Sequence, residues 1–160
     1  MKNFPRRAAG LAAAAFGAFL FSACSSSRTS LPALIFESLS GGSVASLASC
    51  PTPKCFTVYV APWCPYCHAS TPSILGLRTF LEDHGVTTRI IVGMDRPEAV
   101  RDYAATFGPN TLLDPAGKLD IQGVPHFFVS DHTGRILRNV EGFPVGTGSN
   151  QELAGYFGLP

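Results

Sequence analysis

The sequence predicts an α/β chain with a central mixed sheet and helices on both faces. Three observations carry that expectation. Apolar, β-rich runs alternate with segments of helical spacing, in the order strand, helix, strand, helix, hairpin, helix. The run Phe56-Thr57-Val58-Tyr59-Val60 leads into Ala61-Pro62-Trp63-Cys64-Pro65-Tyr66-Cys67-His68, so a Cys-x-x-Cys pair stands at a strand-to-helix junction. Much later, Val124-Pro125 comes just before a strand-like segment, His126 to Ser130.

Taken from the start, Met1 to Arg7 is a short positive stretch and Ala8 to Ala23 an apolar run. Residues 1–23 read as a secretory signal, too short for a comfortable membrane span. Its end, Phe21-Ser22-Ala23-Cys24, resembles a bacterial lipobox, which implies lipidation of Cys24 and anchoring to a membrane. Lipoboxes usually carry Leu three residues before the cysteine. Here that residue is Phe21, and an ordinary cleaved signal with a free Cys24 is the alternative. No aspartate follows Cys24, which by analogy favours the periplasmic leaflet of the outer membrane.

Residues 24–49 read as a tether and N-terminal extension. Ser25 to Ser30 is polar, and Leu34-Ile35-Phe36 fits a short strand or a helix start before Gly41-Gly42 breaks it. Residues 50–160 read as the folded domain. It opens with Cys50-Pro51-Thr52-Pro53-Lys54-Cys55. In an oxidising compartment this spacing favours a local disulfide, as a structural staple ahead of a second redox centre. With Cys24 lipidated, the other four of the five cysteines pair off.

The spacing next predicts a helix from Cys64 to about His84, with Pro72 inside it and Gly85 as its stop. Ile74, Leu75, Leu77, Phe80 and Leu81 supply its apolar face. Val86 to Gly93 reads as a buried strand. Asp95-Arg96-Pro97-Glu98 reads as a capping box for a helix carrying Val100, Tyr103, Ala104 and Phe107. Thr111 to Asp114 is a short extended piece, and Lys118 to Gln122 a turn or short helix. His126 to Ser130 and Arg135 to Val140 form a hairpin that Gly142 ends. Ser149 to Phe157 closes as a helix capped by Ser149 or Asn150.

Charge excludes one class of partner. Lys2, Arg6 and Arg7 fall in the signal. Without them nine basic and eleven acidic residues remain, about −2 at neutral pH, with no basic cluster, so no nucleic-acid partner is expected.

The dithiol carries the chemistry. The first N–H groups of a helix are unpaired and that end is partly positive, so a thiolate placed there is stabilised. Cys64 is expected at that end with its sulfur exposed, as the attacking residue. Cys67, one turn on, is the resolving residue, and Pro65 fits the first helical position. No cofactor is implied. A metal site using Cys64, Cys67, His68 and His126 is disfavoured, because adjacent helical residues point different ways.

These pieces together resemble the thioredoxin superfamily: Trp63-Cys64-Pro65-Tyr66-Cys67, Pro72 and Gly123-Val124-Pro125. Leu112 to Lys118, Gly123 to Pro125 and Asp131 to Ile136 are similar to the TlpA/ResA-type branch, and Cys-Pro-Tyr-Cys to the glutaredoxin motif. The resemblance implies a thioredoxin fold and a thiol–disulfide oxidoreductase leaning towards reductase. It implies a cis Val124–Pro125 bond facing the dithiol, with Trp63, Pro65, Tyr66, Val124 and Pro125 meeting the substrate. The implied partners are exported cysteine-containing proteins and a membrane thiol-transfer protein that donates or accepts electrons. A copper chaperone, or a disulfide oxidase or isomerase, would use the same dithiol. One position departs from the pattern. Val58 stands six residues before Cys64, where many of these reductases carry a buried carboxylate that takes the resolving thiol's proton. Glu141 is the nearest substitute in pattern, and without such a group Cys67 is expected to be activated slowly.

Overall fold

A computed structural model describes residues 29–42, 46–144 and 148–160. The expected signal at 1–23 and lipidation at Cys24 lie outside the described residues. The elements are β1 (Glu37–Ser38), β2 (Lys54–Val60), α1 (Pro65–Asp83), β3 (Thr87–Gly93), α2 (Pro97–Ala105), β4 (Leu112–Asp114), β5 (His126–Asp131), β6 (Ile136–Glu141) and α3 (Asn150–Tyr156). The sheet has six strands in the order β1-β4-β3-β2-β5-β6. β2, β3 and β4 run parallel, while β1, β5 and β6 pair antiparallel with their neighbours. It is a thioredoxin fold with the expected mixed sheet.

β2 is central and buried on both sides, which is why it reads as an unbroken apolar run. Its alternate residues feed two cores. Phe56, Val58 and Val60 join Ile74, Leu77 and Leu81 of α1, Val100, Tyr103 and Ala104 of α2, and Leu153 and Ala154 of α3. Burying each such Leu or Ile is worth roughly 1.5–3 kcal/mol.

The other face departs from expectation. Tyr59, Ile91, Leu112 and Phe128 are covered by Leu31, Phe36 and Leu47 of the extension and by Leu119 and Ile121, with no residue from a described helix. Helices on both faces is therefore corrected to helices on one. The steps β2 to β3 and β3 to β4 go the same way across the sheet, so two right-handed crossovers put α1 and α2 on the same side. The extension fills the vacant side. Leu31 N donates to Gly134 O (2.9 Å), Leu47 N donates to Leu34 O (3.0 Å), and the strand is Glu37–Ser38 rather than Leu34-Ile35-Phe36. Gly134, at φ +78°, lies so close to the Ala48 backbone that a Cβ there would clash.

Caps explain the helix starts. Ser149 Oγ accepts from Glu152 N (3.2 Å), and Glu152 Oε2 accepts from Ser149 N (3.1 Å), a complete capping box on α3. The box expected at Asp95 and Glu98 does not form. Arg96 is the N-cap of α2 without a side-chain bond, because Pro97 takes the first helical position and leaves Asp95 one residue too early. Asp95 Oδ1 instead accepts from Arg96 N (2.7 Å). Residues 118–122 form turns, with Asp120 at φ 53°.

Candidate active site

Cys64 is the N-cap of α1, with extended backbone (φ −90°, ψ 110°), and Pro65 opens the helix. Cys64 Sγ accepts a hydrogen bond from Cys67 N (3.1 Å), so the sulfur occupies the place that an oxygen takes in an ordinary cap. Helical rotation brings Cys67 under it. Both are free thiols. The expectation of an exposed Cys64 is corrected, since only 3% of the residue reaches solvent. The reason lies across the chain: the Val124–Pro125 peptide is cis, and Val124 O sits 3.5 Å from Cys64 Sγ, in place to accept from the thiol.

The rim is aromatic. Tyr66 is 78% exposed and Trp63 57% exposed. Trp63 Nε1 donates to Met94 O (2.8 Å), which ties the ring to the residue after β3, with Met94 itself at φ 57°.

Cys67 is fully buried in the core formed with Val58 and Phe127. Burial, then the hydrogen bond that its thiol donates to Cys64, push it up to about 12. Among the described residues Asp114 is the buried carboxylate, and it lies on the opposite face of the sheet. There it accepts from Tyr59 Oη (3.0 Å), Lys118 N (2.8 Å) and Leu119 N (3.0 Å). It is a structural anchor for the turn after β4, with no acceptor capacity turned towards Cys67. Glu141 pairs across the hairpin with His126 and lies against Gly123, where a Cβ would collide with its carboxylate. That too is the face away from Cys67.

His126 is placed by the same alternation. It stacks on Phe128 (4.6 Å), and its ring nitrogens face Gly123 O (3.2 Å) and Asn139 Oδ1. It braces the loop of the cis-proline from behind. His68 Nε2 meets Pro62 O (2.7 Å), and its ring lies tilted against Tyr103 (4.3 Å). No group of three or more His, Cys, Asp or Glu among the described residues could hold a metal ion.

Two residues of the site had no signal of their own in the sequence. Thr71 Oγ1 donates to Cys67 O (2.9 Å), and Tyr103 Oη donates to Thr71 Oγ1 (2.9 Å). Burial raises the Tyr103 phenol to about 12, which keeps it a donor. The pair ties the turn holding Cys67 to α2. The sequence showed Tyr103 only as one apolar position of a helix.

Cys50 and Cys55 lie at the other end of β2 and are joined, with S–S 2.10 Å. Thr52 Oγ1 bridges their loop to β3 through Thr87 Oγ1 (3.0 Å).

Comparison with known proteins agrees with this geometry. The family model described as Redoxin matches residues 26–152, most of the chain. The chain belongs to the Redoxin family. Within it this redoxin is a thioredoxin-superfamily protein of the TlpA/ResA-like kind. It is 33% identical over 89 residues to the thiol:disulfide interchange protein HelX of Rhodobacter capsulatus, a match covering 51% of this chain and 48% of HelX. The chain thus matches about half the length of that curated relative. Among solved structures it is similar to the thioredoxin domain of a thiol-disulfide oxidoreductase from Bacteroides vulgatus (TM-score 0.60, 19% identity, 80% of this chain and 95% of that one). It is also similar to a pneumococcal exposed lipoprotein thioredoxin from Streptococcus pneumoniae (TM-score 0.59, 16% identity, 78% and 97%). Both likenesses bear on the fold.

Proposed function

We propose that this redoxin is an exported thiol–disulfide oxidoreductase whose dithiol, Cys64 and Cys67, exchanges disulfides with other cysteine-containing exported proteins. The observation that carries the reading is the Cys64 sulfur at the helix cap, holding the Cys67 N–H at 3.1 Å and facing the cis-proline loop at 3.5 Å. In the reducing direction the Cys64 thiolate attacks one sulfur of a substrate disulfide. A Cys64–substrate disulfide forms and one substrate thiolate leaves. Cys67 gives its proton to solvent and attacks Cys64 Sγ. The Cys64–Cys67 disulfide forms, the second substrate thiolate leaves, and two electrons have passed to the substrate. A membrane thiol-transfer protein restores the dithiol by the same steps in reverse.

Substrate would enter over Tyr66 and Trp63, with its backbone alongside Val124. Pro65 shapes the first turn beneath it. Buried Val58 and the lack, among the described residues, of a buried acid on the Cys67 face favour a slow resolving step. Anchoring through Cys24, at the periplasmic face of the outer membrane, follows from the lipobox-like Phe21-Ser22-Ala23-Cys24. Incorporation of labelled palmitate that is lost in Cys24→Ala tests the anchor.

The exchange itself is tested with Cys64→Ser and Cys67→Ser. Cys64→Ser should abolish reduction of a protein disulfide, and Cys67→Ser should accumulate mixed disulfides. Equal activity in the two variants would refute the roles. The equilibrium potential of the dithiol, set against that of the compartment, decides the direction.

A further inference from the structure

We infer that the sheet face opposite the dithiol carries a binding site for a small organic carboxylate, with Arg89 as its anchor. Arg89 is the third residue of β3 and only 7% exposed. Its guanidinium donates to two backbone carbonyls of the extension, Leu47 O (3.4 Å) and Ser49 O. The described residues include all eleven acids of the chain, and none forms an ion pair with it. A buried cation without a counter-charge is costly, so an arrangement of this kind calls for an anion. Arginine's planar fork of five N–H donors suits a carboxylate, and two carbonyls use only part of it.

Two further observations point the same way. Arg89 lines a cavity of about 610 Å³, together with Ser38, Ser49, Thr87, Asn110 and Leu112. That volume lies within the range of small-molecule sites, and its mixed wall suits a ligand with one charged end and an apolar body. Beside Arg89 on the same sheet face stand Thr57, its register partner on β2, and Ser130 on β5. Both are wholly buried, and their hydroxyls have no hydrogen-bond partner. Three polar groups on one sheet face, one of them charged, are thus short of partners, and of the three Arg89 lines the cavity. A single guanidinium favours a monoanion over phosphate. The Cys50–Cys55 loop forms one wall of the cavity through Cys50 and Pro51. Its position at the far end of β2 keeps the site independent of exchange at Cys64.

The test is a titration of the full chain with benzoate, with its neutral isostere benzamide, and with inorganic phosphate. It is followed by the Arg89 side-chain N–H resonance and by calorimetry. Benzoate should bind saturably and shift the Arg89 signal. Benzamide should bind at least tenfold more weakly, the low end of the roughly 10- to 100-fold that one charge-assisted hydrogen bond supplies. Arg89→Gln, which keeps amide donors without the charge, should lose the preference for benzoate. Should that variant not fold, the wild-type titration decides alone. No saturable shift with benzoate, equal binding of benzamide, or a preference for phosphate overturns the inference.

Discussion

The resolving step should depend on pH in a way set by the burial of Cys67. Its thiol is raised to about 12, and burial is the leading cause. Burial persists when Cys64 is engaged in a mixed disulfide, although the hydrogen bond and charge of Cys64 then change. At pH 7 a thiol at about 12 is ionised to about one part in 10⁵, against about one part in 10² for an ordinary thiol near 9. The thiolate available for attack is thus about a thousandfold scarcer, a handicap that the nearness of the Cys64 sulfur must offset. The assay is rapid mixing of the reduced protein with an aromatic disulfide whose thiol product is coloured. Cys64 releases the first equivalent of colour and Cys67 the second. The second phase should accelerate about tenfold per pH unit from about pH 6 to about pH 10, without a plateau. In Cys67→Ser the second phase should vanish. A second phase that levels off below pH 9 would show that some group takes the Cys67 proton, and would refute the reasoning from Val58, Asp114 and Glu141.

The same thiol links redox state to stability. With its folded value raised, Cys67 holds its proton more tightly in the folded chain. The stabilisation is whole below the ordinary thiol value of 9.0 and is lost as pH rises towards about 12. Melting of the reduced protein should therefore worsen relative to the oxidised protein above pH 9, by up to about 1.4 kcal/mol per pH unit. Tyr59 and Tyr103, both raised by burial, titrate in either form and largely cancel in that difference; parallel melting curves from pH 9 to 11 would contradict the assignment. Replacing Cys50 and Cys55 together by Ala reopens a loop of sequence separation five and should cost about 2 kcal/mol in denaturant unfolding. Exchange at Cys64 should remain, and its loss would make that pair part of the redox machinery. Tyr103→Phe removes the donor to Thr71 and should cost about 1 kcal/mol. Slower resolution with an unchanged first phase is expected, and a slowed first phase would move Tyr103 from positioning Cys67 to positioning Cys64.

Local features were legible because their causes are local. A sulfur-capped helix start at Cys64-Pro65, a Ser149 cap with Glu152 three residues on, and the Asp131-to-Gly134 hairpin turn each depend on a few neighbouring residues. Backbone geometry over so short a span leaves few choices. Where neighbours compete, the same signals mislead, as Asp95 did when Pro97 claimed the start of α2.

The chain's own order of residues therefore determined the strand and helix succession, the dithiol at a helix cap and the proline loop that would face it. Only the tertiary structure decided that Cys64 is covered by Val124, that His126 and Glu141 look away from Cys67, and that Arg89 lies buried without an acid. Those outcomes turn on which sheet face each strand residue meets and on what covers it. Coverage comes from residues remote in sequence, such as Leu31, Phe36 and Leu47 over β2 and β3, and no period or motif within a strand records what will pack against it.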